Sequence, residues 1–453
     1  MAGSRSRATV RQVGPRREAL RTTLWVVPTL ETAAATILFA IMYAIDRASY
    51  RGDLDLPGWV NNGSADAARQ ILIAIAAMVI TVVGLVFSIT IVALTLASTQ
   101  FGPRILRGFI RDLGTQVTLG TFVATFVYAI LALGSISQGN PDFVPHLAIT
   151  VVLGLVLVDI GVLVYFIHHV ATSIQLTEVV AGIARDLARG IANEVSDGAS
   201  EADAEMSAAE RDSLNRLAQS GADLPARESG YLQFVGYDVM VDIAKRSDAV
   251  IEMLYRPGHF VIEGLPLARV WPAAALPTIA ASLEKAHVTG AHRTLTQDLA
   301  FAIDQLVEIA IRALSPALND TFTAMTCVDW LGDALSKISG SWNSRRLHFD
   351  ALGNLRVVSA QINYTRLVER AFDKIRQAGR GMPAIMIRQL DALTRVMHHT
   401  TDPAHRDALV RQAAMILRSS DESVQEPDDL ADVRRVHDVF AALASGVREA
   451  DAR

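Results

Sequence analysis

Two carboxylic acids stand where water should not reach. Glu31 and Asp159 each interrupt a long apolar run that holds no basic residue. An ionised carboxylate inside a bilayer costs several kcal/mol unless it faces a bundle interior or a hydrated cavity. At about 1.5 Å of rise per residue, Asp159 falls near the midplane and Glu31 closer to one surface. Hydroxyl and small residues accompany them. Thr81, Gly84, Ser88, Thr95 and Ser98 recur at heptad a and d offsets in one run, and Thr118, Thr121, Thr125, Tyr128, Ala132 and Ser135 do so in the next. A face of this kind lets helix backbones pack closely, or it lines a hydrated path. Acids beside such a path suit the conduction or transport of a small solute or ion. The pair His168-His169 ends the last apolar run. Neighbours on a helix point about 100° apart, so this pair suits a membrane interface better than one metal ion.

Helices must place these groups. About 20 apolar residues cross a hydrocarbon core of roughly 30 Å, and four runs qualify: 24–45, 71–97, 117–136 and 147–167. The first is expected to span the membrane and not to be a cleaved signal, because its apolar stretch is long and three more spans follow. The second is longer than a bilayer requires and is expected to project beyond it. The segment after it, Phe101 to Arg111, alternates apolar residues with Arg104, Arg107 and Arg111, as in a helix lying among headgroups. The tail 1–23 and the loop after the second run carry nine arginines, against three in the two loops of the other side. That bias predicts that both termini are cytoplasmic. Abundant alanine, and arginine in place of lysine, suggest a GC-rich bacterial genome, hence a bacterial inner membrane.

Beyond the membrane domain (24–171), residues 172–228 read as a helix and an acidic linker. Residues 229–275 contain strand-like runs separated by turns at Arg256-Pro257-Gly258-His259 and Glu263-Gly264-Leu265-Pro266, which predicts a small β-barrel or sandwich. The chain from 276 to 453 reads as mostly helical. The predicted class is therefore a four-helix membrane protein with a C-terminal α+β cytoplasmic domain. The β hairpin is similar in its turn chemistry to those of lipoyl-like domains, but it has no lysine at its tip, so no attached cofactor is expected. A net charge of −5 gives no sign of nucleic-acid binding. A lone cysteine, Cys327, excludes intrachain disulfides and cysteine metal clusters, and a small buried hydrophobe is the expected role. Nucleotide-loop, zinc-protease and nucleophile-elbow motifs are absent. One turn stands out: Ser315-Pro316-Ala317-Leu318-Asn319-Asp320 breaks two helices. Asn319 or Asp320 could cap the second, or could converge with Asp298 and Asp304 on a ligand.

Several of these stretches resemble a known family. They are Ala97-Ser98-Thr99-Gln100-Phe101-Gly102-Pro103-Arg104, Phe143-Val144-Pro145-His146, Tyr165-Phe166-Ile167-His168-His169, Arg256-Pro257-Gly258 and Arg312-Ala313-Leu314-Ser315-Pro316-Ala317-Leu318-Asn319-Asp320. In this order the chain is similar to the bacterial predicted membrane proteins grouped as domain of unknown function 2254. Thr321 stands where that pattern leads one to expect proline. The resemblance implies the architecture and marks these motifs as family features, without implying an activity. From the residues themselves, a homo-oligomeric channel or transporter for a small ion or solute is the leading expectation. A non-conducting scaffold or signalling receptor is the rival, and a membrane-tethered enzyme built on the 315–320 turn is a third.

Overall fold

The computed structural model describes residues 25–54, 63–101, 112–137, 143–173, 175–198, 208–338, 345–360 and 362–446. The arginine-rich tail, the expected interfacial segment with Arg104 and Arg107, and the acidic stretch around Glu201 lie outside the described residues. The chain divides into two units at Gln175.

Four helices make up the first unit: α1 (Val26–Tyr50), α2 (Ala65–Phe101), α3 (Leu113–Ser135) and α4 (His146–Ser173). All four are long and apolar enough to cross a membrane. With 37 residues, α2 is about 55 Å long and overruns a bilayer core. Helix α3 is the most buried and packs against the other three. It approaches α1 tightly at Gly120, where a Cβ would sit 3.0 Å from Pro28 Cα and would overlap a Glu31 oxygen. Further along, Phe39 of α1 meets Tyr128 of α3 edge to face, with ring centroids 5.6 Å apart. Leu72, Val79, Tyr128, Ala129, Ile149, Val152 and Phe166 form the bundle core, while the outward faces keep large apolar residues such as Phe87, Leu157 and Val164 exposed. That pattern suits a lipid solvent.

Helix α5 (Leu176–Gly198) opens the second unit, followed by α6 (Ala208–Ser220). Strands β1 (Ala222–Pro225), β2 (Gly230–Val235), β3 (Val250–Met253), β4 (Phe260–Val261), β5 (Pro266–Trp271), β6 (His287–Gly290), β7 (Arg345–Phe349) and β8 (Leu355–Ala360) form two open sheets. One has the order β1-β5-β3-β8-β7 and the other β4-β2-β6. The turns at 256–259 and 263–266 fall as predicted, yet a closed barrel is not among these pairings. The larger sheet also recruits strands from far beyond residue 275: β3 pairs in parallel with β8, Ile251 opposite Val357. Parallel neighbours need a long crossover, which no local pattern announces. Helices α7 (Tyr237–Arg246) and α8 (Leu276–Leu283) cover this core through Met240, Ile243, Ile279 and Leu283.

The remaining helices are α9 (Leu299–Ala313), α10 (Thr321–Ile338), α11 (Tyr364–Ala378), α12 (Pro383–His399), α13 (Pro403–Ser423) and α14 (Pro427–Ala444). Proline at the first position starts each of the last three, where its fixed φ helps and no N–H is lost. Asp298, Asn363 and Asp402 cap α9, α11 and α13 with side-chain hydrogen bonds. Cys327 is buried in α10, and burial pushes its thiol up to about 12, leaving it inert.

Two turns carry specific constraints. Gly258 has φ +93°, and a Cβ there would lie 1.9 Å from Asp298 Oδ2. Gly353 has a similar φ of +81° but open space around it. Gly258→Ala is therefore expected to cost roughly 2–3 kcal/mol and Gly353→Ala about 1 kcal/mol, read as thermal midpoints of the full-length protein in detergent. Equal effects would show that the close approach to Asp298 is not required. The second constraint is Asp350. Its Oδ2 accepts from Arg356 Nε at 2.8 Å, and its Oδ1 accepts from the Leu352 and Asn354 backbone at 2.9 and 3.0 Å. The Arg356 hydrogen bond, aided by those amides, holds the carboxyl below the usual carboxylate range. A depressed carboxyl contributes stability above its unfolded pKa of about 3.9 and loses it as pH falls toward the folded value. Asp350→Asn should thus melt earlier than the parent at pH 7, with the gap closing below about pH 4. A gap that stays constant from neutral to acid pH would contradict this assignment.

Candidate functional site

The hydroxyl face of α3 gathers both intramembrane acids. Thr125 donates to Asp159 Oδ1 of α4 at 3.1 Å, and both side chains are buried. Asp159 Oδ2 is also buried and has no hydrogen-bond partner. One turn earlier, the Thr121 hydroxyl reaches the Val117 carbonyl at 2.9 Å and lies 3.4 Å from Glu31 Oε2, a long contact. Thr121 and Thr125 are four apart and share a face, so an acid from α1 and an acid from α4 meet the same side of α3 about 6 Å apart along its axis. Tyr128 continues that face; its ring is buried and its hydroxyl has no partner. Thr125 lies roughly 18 Å along a helix of about 34 Å, near the middle. Buried polar groups are normally satisfied. Among the described residues of the bundle, the unpaired carboxylate oxygen and the unpaired phenol on this face are the buried polar atoms left without a partner.

Two other acids differ. Asp46, near the end of α1, accepts from the Leu147 and Ala148 backbone at 2.9 Å each, so both oxygens serve the first amides of α4. Asp112 caps α3 through Thr115, with N–H and hydroxyl both at 2.8 Å, and its Oδ2 lies 2.7 Å from His169 Nε2. His169 stacks on Tyr165 at 5.4 Å, and the missing side chain of Gly114 leaves it room. These acids fasten α4 at both ends. Neither was singled out by the apolar pattern: Asp46 lies just past the first predicted span. Asp112 did carry a readable signal, an Asp followed three residues later by Thr ahead of an apolar run.

The other predicted residues lie elsewhere. Thr81, Ser88 and Thr95 are on the exposed face of α2, away from the α3 ladder. The Thr81 and Thr95 hydroxyls donate back to Ala77 and Ile91 carbonyls at 2.7 and 2.9 Å. His168 is exposed while His169 is drawn inward, as their angular separation requires. In the 315–320 turn, Ser315 O accepts from Leu318 and Asn319 N–H, and Asp320 N donates to Ala313 O. Asn319 adopts φ +47°. Asp320 caps α10 through Thr323, at 3.1 Å to the amide and 2.6 Å to the hydroxyl. Pro316 and Asn319 are exposed. Asp298 and Asp304 instead meet at Arg293, whose Nε and Nη1 donate at 2.7 and 2.6 Å. The 15 residues of α9 place Asp298 and the turn about 22 Å apart, so the constellation that an enzyme on this turn would need does not assemble. Among the described residues no group of three His, Cys, Asp or Glu side chains could hold a metal ion.

The chain is similar along most of its length to other proteins. A family model described as "Predicted membrane protein (DUF2254)" matches residues 21–395. The uncharacterized protein Rv1290c of Mycobacterium tuberculosis (strain ATCC 25618 / H37Rv) is 30% identical over 420 residues, which is 91% of this chain and 79% of the relative. The uncharacterized protein Mb1321c of Mycobacterium bovis (strain ATCC BAA-935 / AF2122/97) matches to the same extent. No solved structure matches. With its four apolar helices and its motifs in this order, the chain belongs to the DUF2254 family of predicted membrane proteins.

Proposed function

We propose that the protein resides in the bacterial inner membrane and moves protons or a small cation through its apolar bundle along the hydroxyl face of α3. Asp159 and Glu31 act as successive exchange sites. Both termini face the cytoplasm, in keeping with the arginine bias of the short loops, and the second unit regulates the path. The observation that carries this reading is Asp159: a buried mid-helix acid with one oxygen held by Thr125 and the other unpaired. An acid kept only for packing would have both oxygens satisfied, as Asp46 has. Glu31, one turn away and less buried, supplies the next site toward the Asp112 end of α3.

The working form in this proposal is a homo-oligomer. Its support is α2, where Thr81, Gly84, Ser88 and Thr95 line an outward face and a Cβ on Gly84 would meet nothing within 4 Å. Small residues on a lipid-exposed face allow a second helix to approach. The same face favours the rival reading, a non-conducting scaffold or receptor in which α2 only joins copies, because its threonines spend their hydrogens on their own helix.

Two measurements separate these readings. Liposomes carrying the purified protein should pass protons, sodium or potassium faster than empty ones. Asp159→Asn should cut that flux about tenfold or more, an added barrier of about 1.4 kcal/mol, and Thr125→Val should cut it less. Absence of flux for all three ions, or full flux in Asp159→Asn, leaves the scaffold. Oligomerisation is tested by Ser88→Cys, whose thiol is exposed whereas Cys327 is buried. Mild oxidation in membranes should yield a disulfide-linked dimer, and a monomer alone would count against α2 as the joining face.

A further inference from the structure

Around the Arg256-Pro257-Gly258-His259 turn, three guanidinium groups share two carboxylates. Asp298 Oδ2 accepts from Arg293 Nε at 2.7 Å and Oδ1 from the Phe301 backbone at 3.1 Å. Asp304 Oδ2 accepts from Arg293 Nη1 at 2.6 Å, and its Oδ1 lies 3.1 Å from Arg370 Nε. Both acids are thereby occupied. Arg256 is left 3.8 Å from Asp298, too far for a hydrogen bond, and its one hydrogen bond among the described residues is a 3.5 Å contact to the carbonyl of Pro257. Its side chain is only 16% exposed. A mostly buried guanidinium without a hydrogen-bonded counter-charge is costly. Burial lowers its pKa, and burial with Arg256 nearby pushes His259 down to about 4, so that ring is neutral at pH 7 and adds no charge. Three cations face two anions. The turn is fixed besides: Gly258 N donates to Leu232 O at 2.7 Å, and Arg293 lies over the Phe301 ring at 4.9 Å.

We propose that Arg256, Arg293 and Arg370 form a binding site for a phosphate-class oxyanion in the second unit. Arg256 supplies the donors that its long Pro257 contact leaves over, and Arg370, a third exposed and held to Asp304 through Nε, supplies its two terminal nitrogens. Arginine forks match the oxygens of a phosphate group in charge and spacing. The ligand is a free phosphate or phosphoester, or a lipid headgroup.

The test uses the full-length protein in phosphatidylcholine nanodiscs, titrated calorimetrically with inorganic phosphate against sodium chloride of equal ionic strength. A second arm compares thermal midpoints in phosphatidylcholine and phosphatidylglycerol nanodiscs. Saturable phosphate binding, weakened about tenfold or more by Arg256→Gln and less by Arg256→Lys, supports the site and names a soluble ligand. A midpoint raised by phosphatidylglycerol in the parent but not in Arg256→Gln supports it and names a headgroup. If Arg256→Gln does not fold, Arg370→Gln decides on the same readouts. No response in either arm, or responses that survive these substitutions, overturns the proposal.

Discussion

A carboxylate inside an apolar bundle must be hydrogen-bonded, reached by water, or unstable, and the first unit is organised around that constraint. Four acids accompany α1, α3 and α4, and they meet the constraint differently. Asp46 spends both oxygens on the opening amides of α4. Asp112 gathers the Thr115 amide, the Thr115 hydroxyl and His169 on its Oδ2. These two sit at helix ends, where orphan amides need acceptors, and they hold α4 in place against α1 and α3. Asp159 and Glu31 sit inside the helices and take hydroxyls from one face of α3. Among the described residues of the first unit, only Asp159 keeps a buried carboxylate oxygen without a hydrogen-bond partner. Asp46 and Asp112 thus fasten helix ends, while Asp159 and Glu31 meet hydroxyls within the span.

That face depends on close packing. Gly120 admits Pro28 and Glu31 against α3, and Gly114 admits His169. A larger residue at either place would drive α1 or α4 outward and separate the acid from its hydroxyl. Hydroxyl ladder, glycine notches and end fastenings thus form one arrangement, with α3 as its axis.

Much of this was legible in the sequence because it is local. Apolar length gave the four helices, and heptad offsets put Thr121, Thr125 and Tyr128 on one side of α3. The partner choices were not legible. Nothing in the spacing tells that Asp159 turns to Thr125, that Thr81, Ser88 and Thr95 face outward, or that Asp46 reaches across to a helix a hundred residues later. In the second unit the turns at 256–259 and 315–320 were readable from glycine and proline. The parallel pairing of β3 with β8 was not, since seven of the second unit's eighteen described α-helices and strands lie between them. Helix α7 was missed because strand-like runs flank its ten residues. Arg293 was missed because its role arises only when α9, α11 and the 256–259 turn come together.

The central claim is that the unpaired oxygen of Asp159 faces a hydrated path and not a dry contact. Its most direct test is a cryo-electron microscopy map of the protein in nanodiscs at a resolution that reveals ordered water. The account predicts water or ion density within hydrogen-bonding distance of Asp159 Oδ2, continued by density beside Thr121 and Glu31. A map in which that oxygen is dry, or is bonded to a side chain of a neighbouring copy, would contradict it.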